Sequence, residues 1–207
     1  TDGALSATSS QITVGMGSLG TVQVNDRGGS KANSIDDVIP VAYKETWNSL
    51  STVNPSTFGS RTSSGSIEYR IPAQELMGVT LNASMLYDPN SGINNITEGA
   101  VGSTSVSGNA YTVQLAHESG VELGYGYEAI DDDHGILLAS GTSETTGYVK
   151  YAIGGLSAAY QEAYTNTLNG TATEGADVET EFMGVAYTAG DLTISYGESS
   201  TQTKAVS

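Results

Sequence analysis

Residues 9–25, with the sequence SSQITVGMGSLGTVQVN, contain two short runs of alternating apolar and polar residues. The apolar residues occupy every second position on both sides of a glycine-containing turn: Ile12, Val14 and Met16 precede Gly17-Ser18-Leu19-Gly20, and Val22 and Val24 follow it. A period of two residues is typical of a β-strand that buries one face. The stretch therefore predicts a β-hairpin with one apolar face.

The segment of about residues 26–65 separates this hairpin from the next strand. That strand begins near Ser66, where Ile67, Tyr69 and Ile71 again alternate with polar residues. A connection of that length without a periodicity of its own is uncommon in a compact domain unless it is functional. We therefore interpret residues 26–65 as a functional loop.

The alternation recurs along the rest of the chain and predicts about ten strands. The further strands are centred on residues 79–87, 111–115, 121–127, 149–153, 156–160, 183–187 and 192–196. In the clearest of them, Val79, Leu81, Ala83 and Met85 are predicted on one face and Thr80, Asn82 and Ser84 on the other. The pattern predicts an all-β, antiparallel fold.

The connections between these strands alternate in length. Tight turns are predicted near residues 17–20, 72–77, 117–120, 154–155 and 189–191, and long connections near 26–65, 88–109, 130–145 and 166–177. Short turns at one end and long loops at the other are typical of outer-membrane barrels. We predict one domain over residues 1–207, an up-and-down transmembrane β-barrel in which consecutive strands pair. Several tyrosines near the long loops fit an aromatic girdle at the lipid interface.

The composition excludes several classes of protein. The chain has 207 residues, no cysteine and a formal net charge of −16. No apolar run approaches the roughly 18–20 residues of a membrane-spanning helix. The acidic balance argues against nucleic-acid binding, because neutralising phosphates requires lysine and arginine.

The hairpin at residues 12–24, followed at once by a long acidic loop, resembles the general porins of Gram-negative bacteria, which are sixteen-stranded trimers. The segments Gly17–Val22 and Ser34–Pro40 are similar to those of porins from marine alphaproteobacteria. The resemblance implies a passive channel for small hydrophilic solutes and ions in the bacterial outer membrane, a lipid environment and a homotrimer. It also implies that the ten strands are the fourth to thirteenth of sixteen.

The resemblance further implies that the long loop folds into the barrel and narrows the pore. Candidate constriction residues are loop carboxylates and nearby wall charges: Asp36, Asp37, Glu45, Arg61, Glu68 and Arg70. Opposed charges across a narrow section set ion preference, and the acidic excess predicts a preference for cations. The alternative interpretation of these residues is a set of solvated loop charges.

Other motifs carry less information. The run Asp131-Asp132-Asp133 has the oxygen ligands that Ca²⁺ prefers but lacks EF-hand spacing, so an acidic external loop is the favoured interpretation. No catalytic cluster or cofactor motif is recognisable, so we predict neither an enzyme nor a cofactor. The alternative function is a secreted or surface-exposed structural or adhesive β-rich protein.

Overall fold

The computed structural model describes residues 10–27, 35, 38–42, 65–91, 106–130, 142–169, 173–174 and 177–204. Nearly all of them lie in strands: β1 (Ser10–Gly15), β2 (Thr21–Arg27), β3 (Ser66–Arg70), β4 (Gln74–Leu76), β5 (Val79–Ser91), β6 (Val106–His117), β7 (Val121–Ile130), β8 (Thr142–Ile153), β9 (Leu156–Asn169), β10 (Thr173–Glu174), β11 (Asp177–Ala189) and β12 (Leu192–Lys204). Within these ranges no helix is long and apolar enough to cross a membrane.

The strands form one antiparallel sheet that follows the order of the chain. Ten strands make the continuous path β1-β2-β3-β5-β6-β7-β8-β9-β11-β12, while β4 pairs with β5 and β10 with β9. Strands β3 and β4 are two parts of one strand that is interrupted at Pro72, whose nitrogen carries no proton to donate. The predicted up-and-down topology and the ten predicted strands are confirmed. Among the described strands, no ladder joins β1 to β12.

The two faces of the sheet differ as the alternation predicts. The outward face carries exposed valine, isoleucine, leucine, methionine and tyrosine; Ile12 is 69% exposed and Ile194 65%. In β5, Met85 and Tyr87 lie on this face, whereas Ser84 and Leu86 are buried on the other, inner face. The register confirms the faces predicted for residues 79–85, because Met85 is the ladder partner of Tyr111.

The alternation of short and long connections is also confirmed. Turns of two to five residues join the strands at one end, and residues 28–65, 92–105, 131–141 and 170–176 connect them at the other. The turn predicted at 72–77 lies later, at Met77-Gly78, because β4 continues the ladder past Pro72. Met77 and Gly78 both have positive φ angles (51° and 78°), as a two-residue hairpin turn requires.

The strands extend further toward the long connections than predicted. β5 continues to Ser91 and β8 begins at Thr142, within the connections predicted at 88–109 and 130–145. The residues there are polar on both faces, so the apolar alternation that marks a strand fades before the hydrogen-bonded ladder ends. The predicted boundaries therefore follow the apolar band rather than the whole sheet.

We predict that Val113→Arg will hinder assembly in the membrane and that the neighbouring Gln114→Arg will not. Val113 is exposed on the outward face near mid-strand, whereas the Gln114 amide donates to the Tyr148 hydroxyl on the inner face (3.0 Å). A lipid-facing arginine near midplane costs about 2–4 kcal/mol. The measurement is the folded fraction after refolding into lipid vesicles, and equal yields for the two variants would contradict the assigned faces.

Candidate functional site

The inner face of the sheet is polar but largely shielded from solvent. Its positions are filled by Gln, Asn, Ser, Thr and Glu, and several of these side chains are almost fully buried: Gln23, Asn25, Glu68, Thr112, Glu128, Thr146, Gln161 and Thr180. Buried polar groups need hydrogen-bond partners. Some are provided across the ladders, as between the Ser84 and Thr112 hydroxyls at 2.7 Å.

A short segment of the long loop, Ile35 and residues 38–42, lies against this face. Ile35 and Val38 pack in one buried cluster with Leu86, Ala110 and Tyr148, and Ile39 packs in a second with Ala159, Ala163 and Phe182. The Gln161 amide donates to the Ile35 carbonyl at 2.8 Å, and the Ala42 N–H donates to the Ser195 hydroxyl at 2.8 Å. The described part of the loop therefore lies on the side of the sheet opposite the exposed apolar face.

The charges on the inner face are mostly negative. Among the residues whose side chains are described, register and alternation place six carboxylates there, namely Glu68, Glu75, Asp88, Glu122, Glu128 and Glu144, and two cations, Arg70 and Lys150. Glu122 accepts a hydrogen bond from the Tyr148 hydroxyl at 2.5 Å. Glu128 and Glu144 are direct ladder partners, and both are buried. The described part of the inner face therefore carries more acidic than basic side chains.

Two of the predicted constriction residues are described, and they contact one another. Arg70 Nη2 lies 2.8 Å from Glu68 Oε2, with the Glu68 side chain fully buried. They are two residues apart on β3, so both point to the inner face as predicted. The other four, Asp36, Asp37, Glu45 and Arg61, lie outside the described residues, as does the candidate cation run at Asp131, Asp132 and Asp133. Within the described ranges no group of three or more metal-ligating side chains comes together.

A polar cleft of about 350 Å³ lies beside this ion pair, toward the tight-turn end of the sheet. Its lining comes from β2, β3, β5 and β6, from the turn before β2 and from residues 71–73, and its polar side chains are those of Thr21, Arg70, Asn82, Ser84, Thr112 and Gln114. These side chains are neutral donors and acceptors, apart from the guanidinium. These groups can form hydrogen bonds with small polar solutes and with the water around ions along the inner face.

Two groups of inner-face residues are not predicted by the sequence pattern. Asp88 and Glu144 fall in connections that were predicted to be loops, so their inward orientation was not deduced. Leu86 and Phe182 are apolar residues at inward positions, where the face is otherwise polar. An apolar residue on the otherwise polar face of a strand could have indicated this, because it predicts that another segment packs against that face.

A solved structure of OmpTΔL8, a loop L8 deletion mutant of OmpT, an outer membrane protein of Vibrio cholerae, is similar over 90% of this chain and 72% of its own, with 11% identity and a TM-score of 0.49. No curated protein matches the chain. A family model described as Gram-negative porin matches residues 3–207. This chain, with its sequentially paired sheet and polar inner face, therefore belongs to the Gram-negative porins of the outer membrane.

Proposed function

We propose that the protein is a passive diffusion channel for small hydrophilic solutes and ions, and that it prefers cations. The observation that carries the preference is the composition of the inner face, where six described carboxylates accompany two described cations. A negative lumen with low-dielectric walls concentrates cations and repels anions. Family membership supports the role as a channel, and the charge of the inner face supports the preference for cations.

We further propose that the loop of residues 26–65 forms the constriction. Support comes from the contacts of Ile35 and Ile39 with the inner face. In this proposal Asp36, Asp37 and Glu45 provide the negative charge of the constriction, and Arg61 provides the opposing positive charge. Arg70 contributes little opposing field, because Glu68 lies 2.8 Å from its guanidinium and offsets its charge.

The proposed assembly is a homotrimer in outer-membrane lipid. The outward face carries exposed apolar side chains on all ten strands of the main path, which suits burial against lipid tails and against neighbouring copies. Tyr111 and Tyr127 are ladder partners on this face toward the long connections, where tyrosine hydroxyls can meet the headgroups.

We propose no catalytic role and no cofactor. Among the described residues, a histidine and a hydroxyl come together at His117 Nδ1, which lies 2.8 Å from the Ser119 hydroxyl. The same nitrogen accepts the Ser119 backbone N–H at 3.1 Å. Both contacts fall within one exposed tight turn, so they are explained by turn formation alone.

The sign of the selectivity can be measured directly on the complete protein in a planar bilayer. Under a potassium chloride gradient, potassium passes a cation-preferring pore faster than chloride does. At zero current the dilute side is therefore positive relative to the concentrated side. We expect that sign, with a magnitude that falls as salt rises, because salt screens the lumen charge. A reversal potential of the opposite sign would overturn the proposed preference.

Neutralising inner-face acids should weaken this preference, and neutralising outward acids should not. Glu75→Gln with Glu122→Gln removes two carboxylates from the inner face, whereas Glu181→Gln with Glu198→Gln removes two from the outward face. Both double variants change the net charge equally and preserve side-chain shape. We expect the reversal potential to move toward zero only in the first. Equal shifts in both would mean that total charge, rather than wall charge, determines the selectivity.

A further inference from the structure

An irregularity in one ladder lies at the polar cleft beside Arg70. Strands β3 and β4 both pair with β5, but between them residues 71–73 face only Asn82 and Ala83, three residues against two. Pro72 lies at the centre of this β-bulge and has no N–H to donate to the ladder. Bulges are common beside functional sites, because they end the pairing locally and change the direction of a strand. The cleft is lined by the residues on both sides of this bulge.

The cleft has a polar floor and an apolar side. Its floor includes the hydroxyls of Ser84 and Thr112, which are buried and lie 2.7 Å apart. In such a pair one hydroxyl donates to the other, and the second keeps its own proton for a further partner. Asn82 is exposed at the opening, and Pro72 and Ala73 form an apolar side. The cleft therefore offers donors, acceptors and an apolar contact within a small space.

The charge in the cleft is balanced. Among the described residues that line it, Arg70 is the charged one, and Glu68 Oε2 lies 2.8 Å from its guanidinium. An anion would therefore meet a guanidinium that is already paired, and a cation would find no carboxylate in the described lining. Because an ion loses hydration when it enters a cleft, it needs an opposite charge that is not already neutralised. This arrangement favours a neutral solute over an ion.

We propose that the cleft is a binding site for neutral polyhydroxy solutes, such as a monosaccharide or a small polyol. The hydroxyls of such a solute both donate and accept, which matches the Ser84 and Thr112 hydroxyls and the Asn82 amide. Its C–H groups suit the apolar side at Pro72. The volume of about 350 Å³ is near the lower end of the range of small-molecule sites, about 300–1,000 Å³, so the cleft suits one small solute.

The site gives the channel a saturable step for these solutes. Because Asn82 is exposed, water competes for the hydrogen bonds of the cleft, and binding is weak and rapidly reversible. A solute in transit must bind well enough to enter and weakly enough to leave. This inference rests on the proposed function, because the solute reaches the inner face through the water path of the channel. It adds a solute class and a place on the wall.

The test is glucose binding to the complete protein in detergent, measured by saturation-transfer NMR, which detects weak ligands. We expect saturable binding, with a dissociation constant roughly three- to tenfold higher for Asn82→Ala, because that variant loses one or two neutral hydrogen bonds to the solute. The Asn82 side chain makes no hydrogen bond within the described part of the chain. The resistance of the folded barrel to heat in detergent should therefore be the same in the variant and in the natural protein.

Thr188→Ala is the matched control. Thr188 is also exposed on the inner face near the tight turns, but it lies on β11 and does not line the cleft. We expect this variant to bind glucose as the natural protein does. Absence of saturable binding to the natural protein would overturn the proposed site, and so would equal dissociation constants for Asn82→Ala and Thr188→Ala.

A charged analogue tests the class of solute. Glucuronate retains the ring and most hydroxyls of glucose and adds a carboxylate. Because the guanidinium of Arg70 is paired with Glu68, we expect glucuronate to bind more weakly than glucose. Tighter binding of glucuronate would identify the cleft as an anion site and overturn the assignment to neutral solutes.

Failure of the proposed function is distinguishable from failure of this inference. If the natural protein conducts no ions in planar bilayers, the proposed function fails, and glucose binding in detergent still tests the cleft. If the protein conducts ions, we expect glucose to reduce its single-channel current in a saturable manner, and to do so at higher concentration in Asn82→Ala. If it conducts ions but glucose neither binds nor reduces the current, only the cleft proposal is wrong.

Discussion

The hydrogen-bonded ladder between consecutive strands is the constraint on which the rest of this structure depends. Lipid offers no hydrogen-bond partners, so every backbone N–H and carbonyl within the bilayer must bond to a neighbouring strand. Sequential antiparallel pairing achieves this with the shortest connections, and each strand of the path from β1 to β12 pairs with the next. Once that requirement is met, one face must suit lipid, and only the inner face remains available for function.

The inner face has to satisfy two requirements that conflict locally. A water path needs polar and charged groups, whereas a loop segment that stays in one place needs apolar contacts to offset the entropy lost on ordering it. The structure assigns the two requirements to different residues: the buried clusters of Leu86, Ala110 and Tyr148 and of Ala159, Ala163 and Phe182 pack against the loop segment, and carboxylates such as Glu122 occupy other positions of the inner face. Different residues of the same sheet thus hold the loop segment and carry the charge.

Alternation and connection length were sufficient to predict the topology, the ten strands and the faces, because a period of two is a direct consequence of strand geometry. They also placed Glu68 and Arg70 on the inner face. The alternation could not show that these two side chains pair with each other. Side chains two positions apart on a strand share a face, but each can bond to a different neighbour. Asp88 and Glu144 were missed because polar residues on both faces hide a strand that continues beyond the apolar band.

The net charge of the chain, −16, was the basis for predicting cation preference from the sequence, and the structure shows why that basis is too coarse. Glu181 and Glu198 lie on the outward face, and Glu181 is the ladder partner of Glu162, another outward carboxylate. A charge on that side is separated from the lumen by the sheet and is screened over about 8 Å at physiological salt. Only carboxylates on the inner face act on an ion in transit at short range. In the proposed channel, the sign of the selectivity therefore depends on how strand register distributes acid between the faces, and a change of one residue in register would exchange the two sets.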